Sequence, residues 1–236
     1  MTARAAVVGF PIKHSLSPDL FQELGALMGR AIEYRPIELS PDKLAEAFTR
    51  ARNDGTLGWN VTLPHKIHAL DLADEVDACA AAIGAANVLR FGPKVTAFNT
   101  DAAGFLAPLA REGFSPFGHR AVVFGAGGAA RAVLWALASS NVADLVVVNR
   151  DADKGRQAAE AFGARALTPA AEELASVVER ADLVVNATSL GMDGASSPLP
   201  AQARLRPGAY AYDLVYRPRR TPFLKTAEGQ GAETFD

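Results

Sequence analysis

The stretch VVFGAGGAAR, residues 122–131, decides how the rest of this chain is interpreted. An apolar run meets a turn that contains Gly125, Gly127 and Gly128, and a helix-forming run follows at once. A strand, a tight glycine turn and a helix start bring backbone N–H groups close to a pyrophosphate. Such turns also occur as purely structural connections. The amphipathic helix that follows, and a second apolar strand at 145–148, favour dinucleotide binding.

Composition narrows the class of protein further. The 236 residues are 49% hydrophobic and 21% charged, which is typical of a globular chain with one large or two small domains. A net charge of -2 gives no electrostatic reason to expect nucleic acid or an anionic membrane as a partner. The single cysteine, Cys79, excludes an internal disulfide. Because no signal peptide precedes the first strand and no apolar run could span a bilayer, we expect a cytoplasmic protein.

Two triplets, Asn60–Thr62 and Asn186–Thr188, match the sequon for N-glycosylation. A cytosolic chain never meets the glycosylation machinery. These two asparagines therefore need another explanation.

The periodicity of apolar residues predicts an α/β fold with two units and a cleft between them. In the first unit we predict strands at 5–9, 32–38, 56–61, 87–91 and 94–98, and helices at 17–29, 41–52 and 65–83. A helix at 102–111 leads into the second unit. There we predict strands at 121–124, 144–149, 165–167, 182–186 and 209–214, and helices at 128–139, 151–162, 169–179 and from about 221. The alternation indicates mainly parallel sheets, and the second unit is doubly wound.

Three predicted strand ends in the first unit are unusually polar. They are GFPIKHSLSP (9–18), GWNVTLPHK (58–66) and FNTDAAGF (98–105). Each one alone is equally consistent with a helix cap or a turn. Together they bring hydroxyls, carboxamides, an ammonium and a carboxylate to one region, which suits a polyhydroxylated anion.

Lys66 and Asp101 are the chemically interesting pair in these segments. Reduction of a ketone by hydride leaves an alkoxide, so a proton donor must lie at that oxygen, and a lysine ammonium can be that donor. The alternative is a surface lysine at the start of a helix.

The ordered set of motifs resembles the shikimate dehydrogenase family, and the resemblance extends from Gly9 to Leu224. Besides the three polar segments it includes the glycine turn and four further motifs. These are IGAANV (83–88), VVNR (147–150), VVNATSLGM (184–192) and AYDLVYRPRRTPFL (211–224).

The resemblance implies a two-domain α/β enzyme with a Rossmann domain. Residues 1–101 would form the substrate-binding catalytic domain and residues 102–236 the NADP-binding domain. It implies the NADP-dependent, reversible reduction of 3-dehydroshikimate to shikimate, on the route to chorismate and the aromatic amino acids. A small-molecule substrate, no nucleic acid or membrane, and a monomer or homodimer are expected.

The family's functional residues carry over onto matching positions. Ser15 and Ser17 would hold the substrate carboxylate, with Tyr216 nearby. Asn60, Thr62, Asn87 and Asp101 would bind its hydroxyls, and Lys66 would act as the acid/base beside Asp101. The pyrophosphate would lie on Gly125, Ala126, Gly127, Gly128 and Ala129. Asn149, Arg150 and Lys154 would surround the adenosine ribose and its 2′-phosphate, and Thr188 and Leu214 would border the nicotinamide.

The residues that follow the second predicted strand of the second unit (144–149) favour NADP over NAD on physical grounds. NAD sites place a carboxylate there for the ribose 2′-OH, whereas a 2′-phosphate needs a cation such as Arg150. Asp151 departs from the threonine that is usual in the family, and we expect it to weaken the preference for NADP. The chain also stops at Asp236, before the family's segment that returns to the first domain, and we expect weaker substrate binding from a protein that ends there.

Three alternatives stay open at this point. The chain could be a quinate or quinate/shikimate dehydrogenase of the same superfamily that uses either NADP or NAD, or a nucleotide-binding regulator without catalysis. The presence of both Lys66 and Asp101 argues against the regulator. A metal enzyme is disfavoured because the histidines show no ligand spacing with cysteine or carboxylate clusters. These histidines are His14, His65, His68 and His119.

Overall fold

The structure is a computed structural model that describes residues 2–13 and 15–236; His14, one of the histidines considered above, lies outside this range. The chain divides into two compact units, residues 1–100 and residues 101–236, which we call unit 1 and unit 2. The boundary lies between Thr100 and Asp101, where Asp101 begins a helix of unit 2.

Unit 1 is built on a mixed six-stranded sheet in the order β2-β1-β3-β5-β6-β4. Its strands are β1 (Ala3–Gly9), β2 (Ile32–Glu38), β3 (Gly58–Val61), β4 (Glu75–Val76), β5 (Val88–Arg90) and β6 (Thr96–Phe98). Its helices are α1 (Ser17–Leu27), α2 (Leu44–Asn53, after a 3-10 turn at Pro41–Lys43), α3 (His68–Asp71) and α4 (Ala78–Ile83). Strand β1 runs parallel to β2 and β3, whereas β5 is antiparallel to both β3 and β6. An aromatic cluster of Phe48, Trp59 and Phe91 lies in the core beneath this sheet.

The predicted helix over 65–83 is wrong. The chain breaks after α3 because β4 pairs with β6, and the Asp74 carboxylate accepts a hydrogen bond from the Val95 N–H at 2.7 Å. A new helix, α4, then begins where the Asp77 side chain accepts from the Cys79 N–H. Local propensity favours one helix here, but pairing with a distant strand outweighs it.

Unit 2 contains a six-stranded sheet in the order β12-β11-β10-β7-β8-β9, and every neighbouring pair is parallel. Its strands are β7 (Arg120–Phe124), β8 (Asp144–Val148), β9 (Arg165–Leu167), β10 (Leu183–Asn186), β11 (Tyr210–Asp213) and β12 (Glu233–Phe235). Its helices are α5 (Asp101–Arg111), α6 (Gly128–Ser139), α7 (Ala152–Phe162), α8 (Leu174–Glu179) and α9 (Pro222–Gly229). Counted from β7, this is the order 3-2-1-4-5-6 of the Rossmann fold. The predicted fold class of two α/β units, the second doubly wound, is confirmed.

Two details of unit 2 differ from prediction. Strand β12 was not predicted, and α8 begins at Leu174 rather than at 169. The core is apolar on both faces of the sheet: Val122, Val146 and Val184 on one face and Val123, Val147 and Val185 on the other are all at most 1% exposed. In residues 2–13 and 15–236, none of the helices has the length and apolar character needed to span a membrane.

Candidate active site

In unit 1 the loops after β1 and β3 are held together by their backbones. Phe10 N–H donates to the Leu63 carbonyl at 2.9 Å, and Thr62 N–H donates to the Val8 carbonyl at 2.9 Å. A Cβ on Gly9 would lie 2.4 Å from the Thr62 methyl group, so only glycine permits this approach. The two polar segments that these loops carry therefore lie side by side, as the sequence predicted.

The Asn60 carboxamide is oriented by a residue that the sequence analysis did not identify. The Tyr34 hydroxyl donates to Asn60 Oδ1 at 2.7 Å. Burial raises the pKa of Tyr34 well above its ordinary value, so the phenol keeps its proton. Asn60, a predicted substrate-binding residue, is thereby held by a side chain of a different strand.

Strand register explains why a tyrosine makes this link. Tyr34 and Gly58 are both paired with Ala5 of the intervening strand β1, and Asn60 is two residues beyond Gly58 on the same face. Two strands separated by a third lie about 10 Å apart. The side chain must therefore be long, and its ring stacks on Phe21 with centroids 4.2 Å apart.

Asn87 joins the ends of β3 and β6. Its backbone carbonyl accepts from Val61 N–H at 2.7 Å, and its own N–H donates to the Phe98 carbonyl at 3.0 Å. Its side chain donates to Thr100 Oγ1 and accepts from the Thr100 N–H, both at 2.9 Å. The carboxamide of Asn87 thus has a fixed orientation at the carboxyl end of β3.

The position of Lys66 is fixed by a hydrogen bond of its backbone, and the residue does not begin a long helix. Its carbonyl accepts from the Ala86 N–H at 2.7 Å, one residue before Asn87. The preceding His65 is fully buried, with Nε2 2.7 Å from the Leu39 carbonyl. The Lys66 side chain is half-buried, which differs from the freely solvated lysine of the alternative interpretation.

In unit 2 the glycine turn has the backbone geometry that the sequence predicts. Gly125 has a φ of +113°, and a Cβ there would lie 2.9 Å from the Ala187 carbonyl oxygen, so no other residue fits. Gly127 is exposed and precedes α6, a helix of 12 residues whose first N–H groups have no partner within the helix. This end of the helix attracts anions.

At the end of β8, the side chains of Asn149 and Asp151 form hydrogen bonds with nearby backbone groups and so fix the start of the next helix. Asn149 Nδ2 donates to the Asp151 carbonyl at 2.8 Å, and Asp151 caps α7 by accepting from the Asp153 and Lys154 N–H groups, both at 3.1 Å. These hydrogen bonds, that of Lys154 first, lower the pKa of Asp151, so the carboxylate is charged at neutral pH. Arg150 between them is exposed.

A buried polar network lies at the ends of β10 and β11, and sequence analysis missed most of it. Asn186 Nδ2 donates to Asp213 Oδ1 at 2.8 Å, and Thr221 Oγ1 donates to Asp213 Oδ2 at 2.6 Å. The Thr188 hydroxyl donates to Asn186 Oδ1 at 2.7 Å. Asn186, Asp213 and Thr221 are all 0% exposed. Burial raises the pKa of Asp213 above its ordinary value.

The network and the Tyr34 link explain the two sequon-like triplets. Asn186 orients Thr188, and Asn60 is held by a neighbouring strand, so both asparagines have structural partners in the fold. A signal for the network was present in the sequence, since Asn186 and Asp213 each end an apolar strand. Of the other predicted residues, Leu214 is half-buried just after β11 and Tyr216 is 47% exposed. Within the described ranges, no cluster of His, Cys, Asp or Glu suited to a metal ion is present.

A Rossmann unit joined to an α/β unit with polar strand ends defines a two-domain, dinucleotide-dependent dehydrogenase. Two family models match the chain: the shikimate dehydrogenase substrate binding domain over residues 7–89, and shikimate / quinate 5-dehydrogenase over residues 108–192. The chain is 41% identical to the shikimate dehydrogenase (NADP(+)) of Moorella thermoacetica, over 99% of this chain and 82% of the relative. The protein belongs to the shikimate dehydrogenase family.

Solved structures agree with this assignment. Shikimate 5-dehydrogenase from Thermus thermophilus, in complex with NADP(H) and shikimate, is 36% identical with a TM-score of 0.86, covering 98% of this chain and 86% of that one. A 5-ketofructose reductase of a Gluconobacter strain is also similar, with 29% identity and a TM-score of 0.80 over the whole of this chain and 87% of that one.

Proposed function

We propose that this protein is an NADP-dependent shikimate dehydrogenase, which reversibly reduces 3-dehydroshikimate to shikimate on the route to chorismate and the aromatic amino acids. The observation that carries the proposal is one continuous match across both units. Relatives named for this activity are about 40% identical to the chain over nearly all of its length. A similar structure holds both shikimate and NADP(H).

The residues of unit 2 fit a dinucleotide. The turn at Gly125 leaves no room for a side chain, and the exposed Gly127 leaves the N-terminus of α6 accessible to a pyrophosphate. Arg150 is an exposed guanidinium, which suits a 2′-phosphate. NADPH, when bound, supplies the hydride for the reaction.

We assign proton transfer and substrate binding to a set of polar residues, most of which lie in unit 1. The Lys66 ammonium donates a proton to the oxygen of the carbonyl being reduced, and in the reverse direction the neutral amine accepts the hydroxyl proton. Asp101 acts with Lys66 and binds a substrate hydroxyl. Ser15, Ser17 and Tyr216 hold the carboxylate end, and Asn60, Thr62 and Asn87 bind the remaining hydroxyls.

The test is the absorbance of the reduced nicotinamide after the protein is mixed with shikimate and NADP. We expect the absorbance to rise with time in this mixture. In a separate mixture with 3-dehydroshikimate and NADPH, we expect the absorbance to fall. The matched control is the same protein with the Lys66→Ala substitution. Cofactor binding without shikimate binding or oxidation would support the nucleotide-binding regulator and contradict the proposal.

Quinate is the second candidate substrate, because the family model that matches unit 2 names shikimate and quinate together. Comparison of kcat/KM for both acids with both NADP and NAD decides between them. We expect shikimate with NADP to be preferred.

We further propose that the protein is cytoplasmic and acts as a monomer or homodimer, without nucleic acid or membrane partners. The single cysteine and the net charge of -2 support this. Light scattering of the purified protein measures the oligomeric state.

A further inference from the structure

His65 is a buried side chain that the proposed reaction does not use. It is fully buried, and its Nε2 lies 2.7 Å from the Leu39 carbonyl oxygen. A carbonyl oxygen only accepts hydrogen bonds, so Nε2 carries a proton and donates it. The other ring nitrogen, Nδ1, has no hydrogen-bond partner among residues 2–13 and 15–236. Because a buried polar atom without a partner destabilises a fold, a histidine at this position needs a reason beyond packing.

The Nε2 hydrogen bond attaches the turn of residues 62–66 to the end of strand β2. Leu39 directly follows β2, and its own N–H donates to the Gly9 carbonyl at the end of β1, at 3.1 Å. Within the turn, the His65 N–H donates to the Thr62 carbonyl at 3.0 Å. The turn is also attached to β1 and to the segment before β5, in both cases through backbone groups. The His65 ring adds the attachment to β2, and it does so through a side chain.

This attachment matters because Lys66 directly follows His65. A lysine side chain has many rotamers, so the location of its ammonium group depends on where the backbone holds its Cα. A general acid must lie within hydrogen-bond reach of the atom it protonates, and a displacement of about 1 Å can lower a rate about a hundredfold. Strand β2 also holds Asn60, through Tyr34. One strand that carries none of the predicted site residues therefore supports two of them.

We propose that His65 is a positioning residue, which fixes the backbone of Lys66 through the hydrogen bond from Nε2 to the Leu39 carbonyl. The inference rests on the proposed function, since it takes Lys66 as the general acid. Its consequence is that loss of the bond displaces the ammonium group from the carbonyl being reduced. Proton transfer then slows, whereas the dinucleotide, which the proposed function assigns to unit 2, binds as before.

The experiment compares His65→Met with His65→Gln. Both replacements are unbranched and similar in length, but only glutamine has an N–H donor for the Leu39 carbonyl. We expect kcat to fall about tenfold in the methionine variant, as for the loss of one buried hydrogen bond, and to stay within about threefold of wild type in the glutamine variant. KM for NADP should change by less than about twofold in both variants, because no cofactor contact is touched.

His68→Met is the matched control, since His68 is exposed and lies three residues further on, at the start of α3. It should leave kcat unchanged. His65→Asn is a second test variant: its amide lies one carbon nearer to the backbone and falls short of Leu39, so it should behave as the methionine variant does. Melting temperatures are measured for every variant. A merely structural role for His65 would lower the melting temperature without changing kcat at temperatures where the variant is folded.

Amide hydrogen exchange gives a readout that needs no turnover. The N–H of residue 65, bonded to Thr62, and the Ala86 N–H, bonded to Lys66, report how firmly the turn is held. We expect both to exchange about tenfold faster in His65→Met and at the wild-type rate in His65→Gln.

The outcomes separate the inference from the proposed function. A wild-type chain that does not oxidise shikimate would overturn the proposed function, and exchange would then decide the attachment of the turn on its own. Wild-type kcat in His65→Met, or a loss of kcat that glutamine does not rescue, would overturn the inference alone. Unchanged exchange at both amides in His65→Met would do the same.

Discussion

Each of the two units places polar groups at the carboxyl ends of its strands, but they do so with different parts of the chain. In unit 2 the groups available to a ligand are mostly backbone, as at Gly125 and Gly127, and the side chains behind them are buried and paired with one another. In unit 1 the groups are side chains held by partners on neighbouring strands, as Tyr34 holds Asn60. We infer that unit 2 supplies a preformed anion site of general kind, whereas unit 1 supplies Lys66 and most of the side chains proposed to bind the substrate.

Lys66→Ala is the strongest test of this division. We expect kcat to fall by about 10² to 10⁴, because a positioned general acid contributes that much, with little change in KM for either substrate. Steady-state kinetics in both directions measure the loss. Lys94→Ala is the matched control in the same unit, since Lys94 forms an exposed ion pair with Glu75. If the Lys66 variant turns over as fast as the control, Lys66 is not the general acid, and the proposed role of unit 1 in proton transfer is wrong.

Two alanine substitutions in the glycine turn separate folding from ligand binding in unit 2. Gly125→Ala forces a side chain against the Ala187 carbonyl at an unfavourable φ, and we expect it to lower the free energy of unfolding by about 3 kcal/mol. Gly127 has φ -79°, and no atom outside its immediate chain neighbours lies within 4 Å of the added Cβ. Gly127→Ala should therefore keep the melting temperature and raise the Kd for NADP about tenfold, by blocking the approach of the pyrophosphate.

Calorimetric titration and thermal denaturation of both variants give the two quantities separately. Equal losses of stability in the two variants, or unchanged NADP affinity in Gly127→Ala, would contradict a backbone site at this turn.

Thr221→Val tests the buried network of unit 2. The Thr221 hydroxyl donates to Asp213 Oδ2 at 2.6 Å and accepts from the Leu224 N–H at 3.2 Å, and both partners are buried. We expect a loss of about 2 kcal/mol in the free energy of unfolding, as for a buried acceptor left without its donor. Thr226→Val removes an exposed hydroxyl from the same helix α9 and should cost much less.

The pH dependence of this loss has a definite sign. Burial raises the pKa of Asp213 in the folded state, and the Thr221 hydrogen bond lowers it in part, so the substitution raises it further. A carboxyl with a raised folded pKa loses stability as pH rises above its unfolded value of about 3.9. The cost of Thr221→Val should therefore be larger at about pH 7.5 than at about pH 4.5. Chemical denaturation at both values checks this, and a cost that grows toward acid would contradict the assigned hydrogen bonds.

The same contrast explains what could be predicted from sequence. Elements with strong local signals were found almost to the residue, as for α6 at Gly128–Ser139 and β9 at Arg165–Leu167. The helix over 65–83 failed because strand β4 pairs with β6, some twenty residues later in the chain, and local propensity carries no information about such a partner. Tyr34 was missed for the same reason: its role depends on a strand register that brings it across β1 to Asn60. Residues whose role is set by local backbone geometry are readable from sequence, and those set by non-local side-chain contacts are not.

Asp151→Ser gives the smallest effect and tests how general the anion site of unit 2 is. Asp151 combines two roles, since its carboxylate caps α7 and also adds a negative charge directly after Arg150, the residue proposed to bind the 2′-phosphate. Serine caps helices about as well as aspartate but carries no charge. We therefore expect an unchanged melting temperature and a gain of about fivefold in the ratio of NADPH to NADH affinity, as for removing one exposed charge several ångströms from a phosphate. The gain should shrink as salt is added, because exposed charges are screened. Asp151→Ala is the companion variant: it removes the charge and the cap together, so it should show the same change in cofactor preference with a lower melting temperature. If the preference moves only in the alanine variant, the cap and not the charge affects cofactor choice, and the 2′-phosphate does not lie at this strand end.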